Sequence, residues 1–196
     1  MKFKYYDLMS HLVPGLVIYF FVDYEFKGNM PDISALPLLA ITFIIGYFNN
    51  TISSWLEGFY RSLTGGNPVN KFFDGAGIWK VDYFNGTKMK ELLKSSIVKD
   101  NPSNKELFVE AMRIANSKAD ARVIDFNASY AFSRGILTNM LFVAGILIYS
   151  NYTNPWYYIV LVSLLTVALL RYHQRGGYYI REVLNVCQHE LESQIE

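Results

Sequence analysis

Long stretches without a charged side chain alternate with charged segments along this chain. No Asp, Glu, Lys or Arg occurs in residues 33–56 or in residues 135–170, and a shorter uncharged stretch covers residues 8–22. A bilayer core about 30 Å thick is crossed by roughly 20 helical residues. In the first half of the chain the pattern therefore predicts transmembrane helices at about residues 8–24 and 36–54.

The longest uncharged stretch exceeds what one membrane-spanning helix needs. It contains Asn151-Tyr152-Thr153-Asn154-Pro155, and Asn and Pro are typical of turns. We therefore expect two further spans, residues 136–150 and 156–170, joined by a tight hairpin with its turn at 151–155. The alternative interpretation is a hairpin of buried helices in a soluble protein.

The first uncharged stretch also fits a secretory signal peptide, because Lys2 and Lys4 precede it. However, Asp7 lies in what would be the basic region, and bulky Phe20-Phe21-Val22 stands where small residues would precede a cleavage site. These features favour an uncleaved first span.

The distribution of Lys and Arg predicts the orientation of the four spans, because both residues concentrate on the cytoplasmic side. With both termini in the cytoplasm, seventeen of the eighteen basic residues lie on that side, and only Lys27 lies outside. The sequence thus predicts an all-α, polytopic protein of the inner (cytoplasmic) membrane, with four transmembrane helices and a helical cytoplasmic domain.

Four segments make up the predicted domain organisation. Residues 1–56 hold the first two spans, 57–134 form the cytoplasmic helical domain, 135–170 hold the last two spans, and 171–196 form a cytoplasmic C-terminal helix. Within the cytoplasmic domain, Ser103 and Glu106 have the spacing of a capping box. The helix that starts there is expected to run towards the third span with little interruption.

The C-terminal segment is expected to become helical again after Gly176-Gly177. It carries an apolar stripe at helical spacing that is suited to packing on another helix or on a partner protein: Ile180, Leu184, Cys187 and Leu191.

Composition excludes several classes of protein. Of the 196 residues 52% are hydrophobic, which excludes a disordered tail, and the single cysteine excludes a disulfide scaffold and any Cys-based zinc site. The three histidines are scattered, and no catalytic motif is present. We therefore expect no enzyme, cofactor or metal.

Polar residues recur along one face of the predicted second span. Thr42, Gly46, Asn49 or Asn50, and Ser53 follow one another at i, i+4, i+7 or i+8, and i+11. Polar groups inside a membrane must face protein or water. One interpretation is close helix packing and the other is a pore. The candidate pore-lining residues, with one from the predicted third span, are Thr42, Asn49, Asn50, Ser53 and Asn139.

Basic residues of the cytoplasmic part are the candidate ligand-binding site. In a symmetric oligomer each would repeat and form a positive vestibule that attracts polyanions, while nearby aromatic rings stack bases. The alternative is a solvated surface that touches anionic lipid head groups. The candidates are Arg61, Lys71, Lys80, Lys88, Lys94, Arg113, Lys118, Arg122 and Arg134.

Short motifs over most of the chain carry a resemblance to a known family. They are Tyr6-Asp7-Leu8-Met9-Ser10-His11-Leu12-Val13-Pro14-Gly15, Asn49-Asn50-Thr51-Ile52-Ser53-Ser54-Trp55-Leu56, Gly65-Gly66-Asn67-Pro68, Ala121-Arg122 and Ser133-Arg134-Gly135. This plan resembles small membrane proteins of bacterial anti-phage defence, and specifically the channel effector of Hailong-type systems.

The resemblance implies a homo-oligomeric channel, with a tetramer favoured, whose cytoplasmic vestibule binds a nucleotide or oligonucleotide made by a nucleotidyltransferase partner. We therefore expect a ligand-gated ion channel of antiviral (abortive-infection) defence, which depolarises the membrane when it opens. The competing hypothesis is a non-conducting membrane anchor or scaffold that docks a soluble partner protein.

Overall fold

The described part of the chain is entirely helical. The computed structural model describes residues 5–25, 33–75, 86–97, 101–117, 121–150 and 153–193, and these ranges contain helices and no strand. The helices are α1 (Tyr5–Glu25), α2 (Ala35–Trp55), α3 (Glu57–Leu63), α4 (Pro68–Asp74), α5 (Gly86–Ser96), α6 (Asn104–Ser117), α7 (Ala121–Tyr149) and α8 (Pro155–Ser193). For these residues the all-α prediction is confirmed.

Three helices in the described ranges are long and apolar enough to cross a membrane, namely α2, α7 and α8. The first of them coincides with the predicted second span, and the other two contain the predicted third and fourth spans. Association of the chain with a membrane is thereby supported. The predicted hairpin turn falls between α7 and α8, with residues 151–152 outside the described ranges.

The glycine motif after α3 forms a turn. Gly65 and Gly66 have positive φ angles of 81° and 99°, which residues other than glycine rarely adopt. Asn67 then begins α4, because its side chain accepts a hydrogen bond from the Val69 N–H at 3.0 Å. Pro68 occupies the first helical turn, where no N–H is needed.

The predicted capping box is confirmed at the start of α6. The Ser103 N–H donates to Glu106 Oε2 at 2.8 Å, and the Glu106 N–H donates back to Ser103 Oγ at 3.3 Å. The helix that starts here ends at Ser117, and α7 begins at Ala121. The expected run towards the third span is thus divided between two helices, and residues 118–120 lie outside the described ranges.

The C-terminal segment differs from the prediction. Instead of a new helix after Gly176-Gly177, α8 continues through both glycines for 39 residues. Each glycine costs a helix only roughly 1 kcal/mol relative to Ala. Burial of the apolar side chains that follow, Ile180, Val183 and Leu184, outweighs that cost.

The chain divides into two compact units. The first comprises Met1–Glu57 and Ala128–Tyr172, and the second comprises Gly58–Asn127 and His173–Glu196. The division falls close to the ends of the uncharged stretches in the sequence.

A conventional hydrophobic core fills the second unit. Leu93 of α5, Leu107 of α6 and Leu184 of α8 are completely buried within it. The predicted stripe of α8 belongs to this core, because Ile180, Leu184 and Cys187 are buried and Leu191 packs against them. The stripe therefore packs within the chain's own second unit.

Candidate functional site

The polar face of α2 is buried inside the first unit. The buried residues of this helix are Thr42, Gly46, Asn49 and Ser53, which are four members of the stripe that the sequence singled out. Large apolar residues such as Ile44 and Phe48 are exposed on the other side. The polar face of α2 therefore contacts protein within a single chain.

Two glycines bring α1 and α2 into backbone contact. A Cβ atom added to Gly15 would lie 1.7 Å from the Thr42 carbonyl oxygen, and one added to Gly46 would lie 1.7 Å from the His11 carbonyl oxygen. No side chain fits in either space. The contact has the small-residue packing that lets membrane helices approach closely.

Asparagine side chains join α7 to the other two helices. Asn49 of α2 donates from Nδ2 to the Gly135 carbonyl at 3.1 Å, and Asn139 of α7 donates from Nδ2 to the Pro14 carbonyl at 2.9 Å. Within one chain, Thr42, Asn49 and Asn139 thus serve helix packing, which is the first of the two interpretations of the stripe. A pore lined by them stays a prediction.

A second polar cluster, which we call the Arg134 network, consists of Asn50, Ser53, Glu57, Tyr130, Arg134 and Tyr172. Its centre is an ion pair between Arg134 Nη1 and Glu57 Oε2 at 2.7 Å, with side chains 13% and 20% exposed. Arg134 also donates from Nε to Ser53 Oγ at 3.2 Å and from Nη2 to Asn50 Oδ1 at 3.5 Å. The Arg134 guanidinium is thus hydrogen-bonded to three residues, Asn50, Ser53 and Glu57, of the chain segment Met1–Glu57.

Two tyrosines complete the Arg134 network. The Tyr130 hydroxyl donates to Glu57 Oε1 at 2.7 Å and lies 3.0 Å from the Tyr172 hydroxyl. Because Tyr130 donates to the carboxylate, Tyr172 is the donor in the second bond. The tyrosine rings stack with centroids 5.3 Å apart, and the Arg134 guanidinium lies 5.8 Å from the Tyr130 ring centre.

His11 borders this network. Its Nε2 lies 3.5 Å from Asn50 Nδ2 and its Nδ1 lies 3.1 Å from Ser10 Oγ, while its ring stacks on Tyr47. The neighbouring histidine and serine of the opening motif therefore lie next to the polar end of α2.

The basic residues that the sequence grouped into one binding site have separate environments. Lys71 is buried and donates to the Thr64 carbonyl at 2.6 Å, and burial lowers the pKa of its ammonium group. Lys71 therefore does not offer its charge to a ligand at the surface, contrary to expectation. The burial of Lys71 could not be deduced from the sequence, because nothing local distinguishes a buried lysine on a short helix from a solvated one.

Three other predicted ligand-binding residues form ion pairs within the second unit. Lys88 lies 2.6 Å from Glu192, Arg113 lies 2.5 Å from Glu110, and Arg122 lies 3.1 Å from Glu182. The Arg113 and Arg122 side chains are largely exposed. These contacts match the alternative of a solvated, ion-paired surface.

The remaining predicted basic residues divide as follows. Lys94 is exposed and Arg61 is half-buried in the second unit, whereas Arg134 belongs to the first unit. Lys80 and Lys118 lie outside the described residues. The structure therefore does not gather the predicted set into one cluster within either unit.

Glu57, Tyr130 and Tyr172 belong to the Arg134 network but are not among the site residues that the sequence predicts. A signal was present, because Glu57 lies four residues after Ser53, and Tyr130 lies four residues before Arg134. Such spacing puts each pair on one helix face. The contact between the face that carries Ser53 and Glu57 and the face that carries Tyr130 and Arg134 is a tertiary contact, and periodicity does not predict it.

No group of three or more His, Cys, Asp or Glu side chains that could hold a metal ion occurs within the described ranges. No family model matches the chain, and no curated protein or solved structure matches it either. The resemblance to Hailong-type effectors stays a prediction from the sequence motifs.

Proposed function

We propose that the chain is an integral membrane protein with four spans, of which α1 is the first, and with both termini on the cytoplasmic side. Three observations support this topology. Helix α1 is as long as α2, at 21 residues each, and their backbones touch at Gly15 and Gly46. Seventeen of the eighteen Lys and Arg residues then lie in the cytoplasm.

In this membrane protein several copies of the chain surround an ion-conducting pore, and the Arg134 network controls its cytoplasmic end. The observation that carries this proposal is the largely buried Arg134–Glu57 ion pair. Removing two charges from water is costly unless further hydrogen bonds offset it, and here Ser53 and Tyr130 supply them. Ionisable residues in membrane bundles mark ion pathways and their gates.

The network joins the end of α2 to α7, and breaking it removes the side-chain bonds that Arg134 makes to this end of α2. Among the predicted pore-lining residues, Asn50 is half-buried and contacts both Arg134 and His11. It is the one nearest to pore water in this proposal. Thr42, Asn49 and Asn139 hold the helices of one subunit together.

Control by an anionic nucleotide or oligonucleotide involves the second unit. Phosphate groups bind there by replacing the carboxylates that now pair with Lys88, Arg113 and Arg122. Because phosphate contacts with Lys and Arg release the counterions of a polyanion, binding of an oligonucleotide weakens with salt. A role in antiviral defence, at the inner membrane of a bacterium and with a nucleotidyltransferase as partner, rests on the sequence resemblance.

The channel is tested by recording currents from the purified protein in planar bilayers, for the wild type and for Arg134→Met. We expect the variant to open several-fold more often without ligand, because the bonds from Arg134 to Ser53, Asn50 and Glu57 are lost. Lys90→Met is the matched control, since its ion pair with Asp74 lies in the second unit and Lys90 is not one of the proposed ligand-binding residues.

Removing one partner of a buried ion pair costs about 3–5 kcal/mol, so Arg134→Met could also unfold the protein. The Arg134→Lys variant separates the two effects, because it keeps a cation beside Glu57 and leaves the Tyr130–Glu57 hydrogen bond in place, so it should open more nearly like the wild type. Absence of current from the wild type and all variants, with and without oligonucleotide, would overturn the channel.

A membrane scaffold is the second candidate function. It is favoured by the burial of Thr42, Asn49 and Asn139 within one chain, where these side chains pack between helices. The scaffold predicts no current under any condition and unchanged cell protection by Asn50→Leu, whereas the channel predicts altered current. Truncation after Gly177 does not test docking, because it removes Leu184 and Cys187 from the core.

A further inference from the structure

Two amide oxygens in the first unit are buried without a hydrogen-bond donor among the described residues. They are Oδ1 of Asn49 and Oδ1 of Asn139, on side chains that are 2% and 0% exposed. The nitrogen of each amide donates to a backbone carbonyl, of Gly135 and of Pro14 respectively. A carbonyl only accepts, so the orientation of both amides is fixed and their oxygens point elsewhere.

Both amides belong to one meeting point of three helices. Gly135 and Asn139 are one turn apart on α7 and therefore share a face. A Cβ atom added to Gly135 would lie 3.3 Å from Asn49 Nδ2 and 3.6 Å from Pro14 Cγ. Helices α1, α2 and α7 thus converge here around the two amide groups.

The hydroxyl groups on the same helix turns donate elsewhere. The Thr42 hydroxyl donates to the Leu38 carbonyl at 2.9 Å, and the Thr138 hydroxyl donates to the Arg134 carbonyl at 3.0 Å. An acceptor that is removed from solvent and has no donor costs its full desolvation free energy. In folded proteins such groups are usually hydrogen-bonded to an ordered water molecule, which itself has two to four polar partners.

We propose that this three-helix contact is a binding site for one buried water molecule, which donates its two O–H groups to Asn49 Oδ1 and Asn139 Oδ1. The water would bridge α2 and α7 beside the Pro14 segment of α1. Two neutral oxygens fall short of the larger oxygen shell that a metal cation requires. The water site does not depend on ion conduction. The experiments below therefore test it independently of the proposed channel function.

The direct test is solid-state NMR of the full chain in phosphatidylcholine bilayers with ¹⁵N-labelled asparagine. Magnetisation is transferred from water to the side-chain amides at low temperature, where amide exchange is slow. We expect transfer to both Asn49 and Asn139, with the exposed Asn127 of the second unit as the solvated reference. Transfer to Asn127 but to only one or neither of the buried amides overturns the proposal.

A double-mutant cycle tests the bridge energetically. Asn49→Leu, Asn139→Leu and the double variant are compared by equilibrium unfolding in mixed micelles. A shared water should couple the two sites by about threefold or more in the unfolding equilibrium constant. Thr138→Val combined with Asn49→Leu is the control and should be additive.

Two results of these unfolding experiments would overturn the bridge. One is coupling below about twofold between the two asparagines. The other is a wild-type melting temperature that rises with sodium or potassium relative to choline at equal ionic strength, because a cation would then occupy the site.

Discussion

The two units of this chain differ in the polar residues that they bury and the apolar residues that they expose. In the first unit, Thr42, Asn49, Thr138 and Asn139 are buried, while large apolar side chains of α2 and α8 are exposed. In the second unit, leucines of α5, α6 and α8 form the buried core, and the Arg113 and Arg122 side chains lie at the surface. In the proposed topology the first unit lies in hydrocarbon and the second in water, and each distribution suits that solvent.

The comparison also shows what holds each unit together. Hydrophobic burial stabilises the second unit. Because lipid is as apolar as leucine, hydrophobic burial does not drive the association of helices within a membrane. Close backbone contact and hydrogen bonds take its place in the first unit, at Gly15, Gly46, Asn49 and Asn139. The first unit therefore depends on few residues, and these are small or polar.

The most damaging change should be a side chain at the glycine contact of the first unit. Gly46→Leu puts its Cβ onto the His11 backbone, which has no flexible end to move, and should cost more than about 3 kcal/mol. We expect loss of the monodisperse peak in detergent size-exclusion chromatography. Gly145→Ala is the control, because nothing lies within 4 Å of its added Cβ. Equal behaviour of the two variants would contradict the contact.

A matched pair of valines tests the assignment of solvents. Val162 of α8 is 60% exposed in the first unit, and Val109 of α6 is 52% exposed in the second. Val162→Lys should disfavour membrane insertion by about 3 kcal/mol, as for a charge near the centre of a span. Val109→Lys should change stability by less than about 0.5 kcal/mol. Carbonate extraction and thermal melts measure the two effects; similar results for both valines would refute the assignment.

The smallest expected effect is a pH dependence confined to the second unit. Burial and the nearby positive charge of Lys71 lower the pKa of His173 from 6.5. The unfolded chain then takes up a proton near pH 6.5 while the folded chain does so at lower pH, so stability falls as the pH decreases through this interval.

Urea unfolding between pH 7.5 and 5.5 measures this effect. We expect the decrease in stability to be smaller for His173→Gln than for the wild type, and unchanged for His189→Gln, which replaces an exposed histidine of the same helix. A decrease of the same size in all three proteins would assign it to other groups.

Local features were predictable from the sequence where one helix or turn determines them. The capping box at Ser103, the turn at Gly65-Gly66 and the buried face of α2 follow from residue type and spacing alone. The helix through Gly176-Gly177 did not follow, because tertiary burial of Leu184 and its neighbours overrides the weak helix propensity of glycine.

Features that need two distant segments were not predictable. Arg134 was grouped with cytoplasmic cations because its charge is visible in the sequence and its partner Glu57, 77 residues away, is not. Burial of Lys71 likewise depends on the packing around α4. Periodicity identifies which residues share a helix face, but the residues that pack against that face are determined by the whole fold.

The buried Cys187 gives the second unit a built-in reporter. It is the single cysteine of the chain, its side chain is completely buried, and burial raises the pKa of its thiol to about 12. The thiolate is the nucleophile that attacks alkylating reagents, so the folded unit should react very slowly. The rate of alkylation therefore reports how often this unit alone opens. The measurement needs no engineered label and works in intact cells as readily as in detergent.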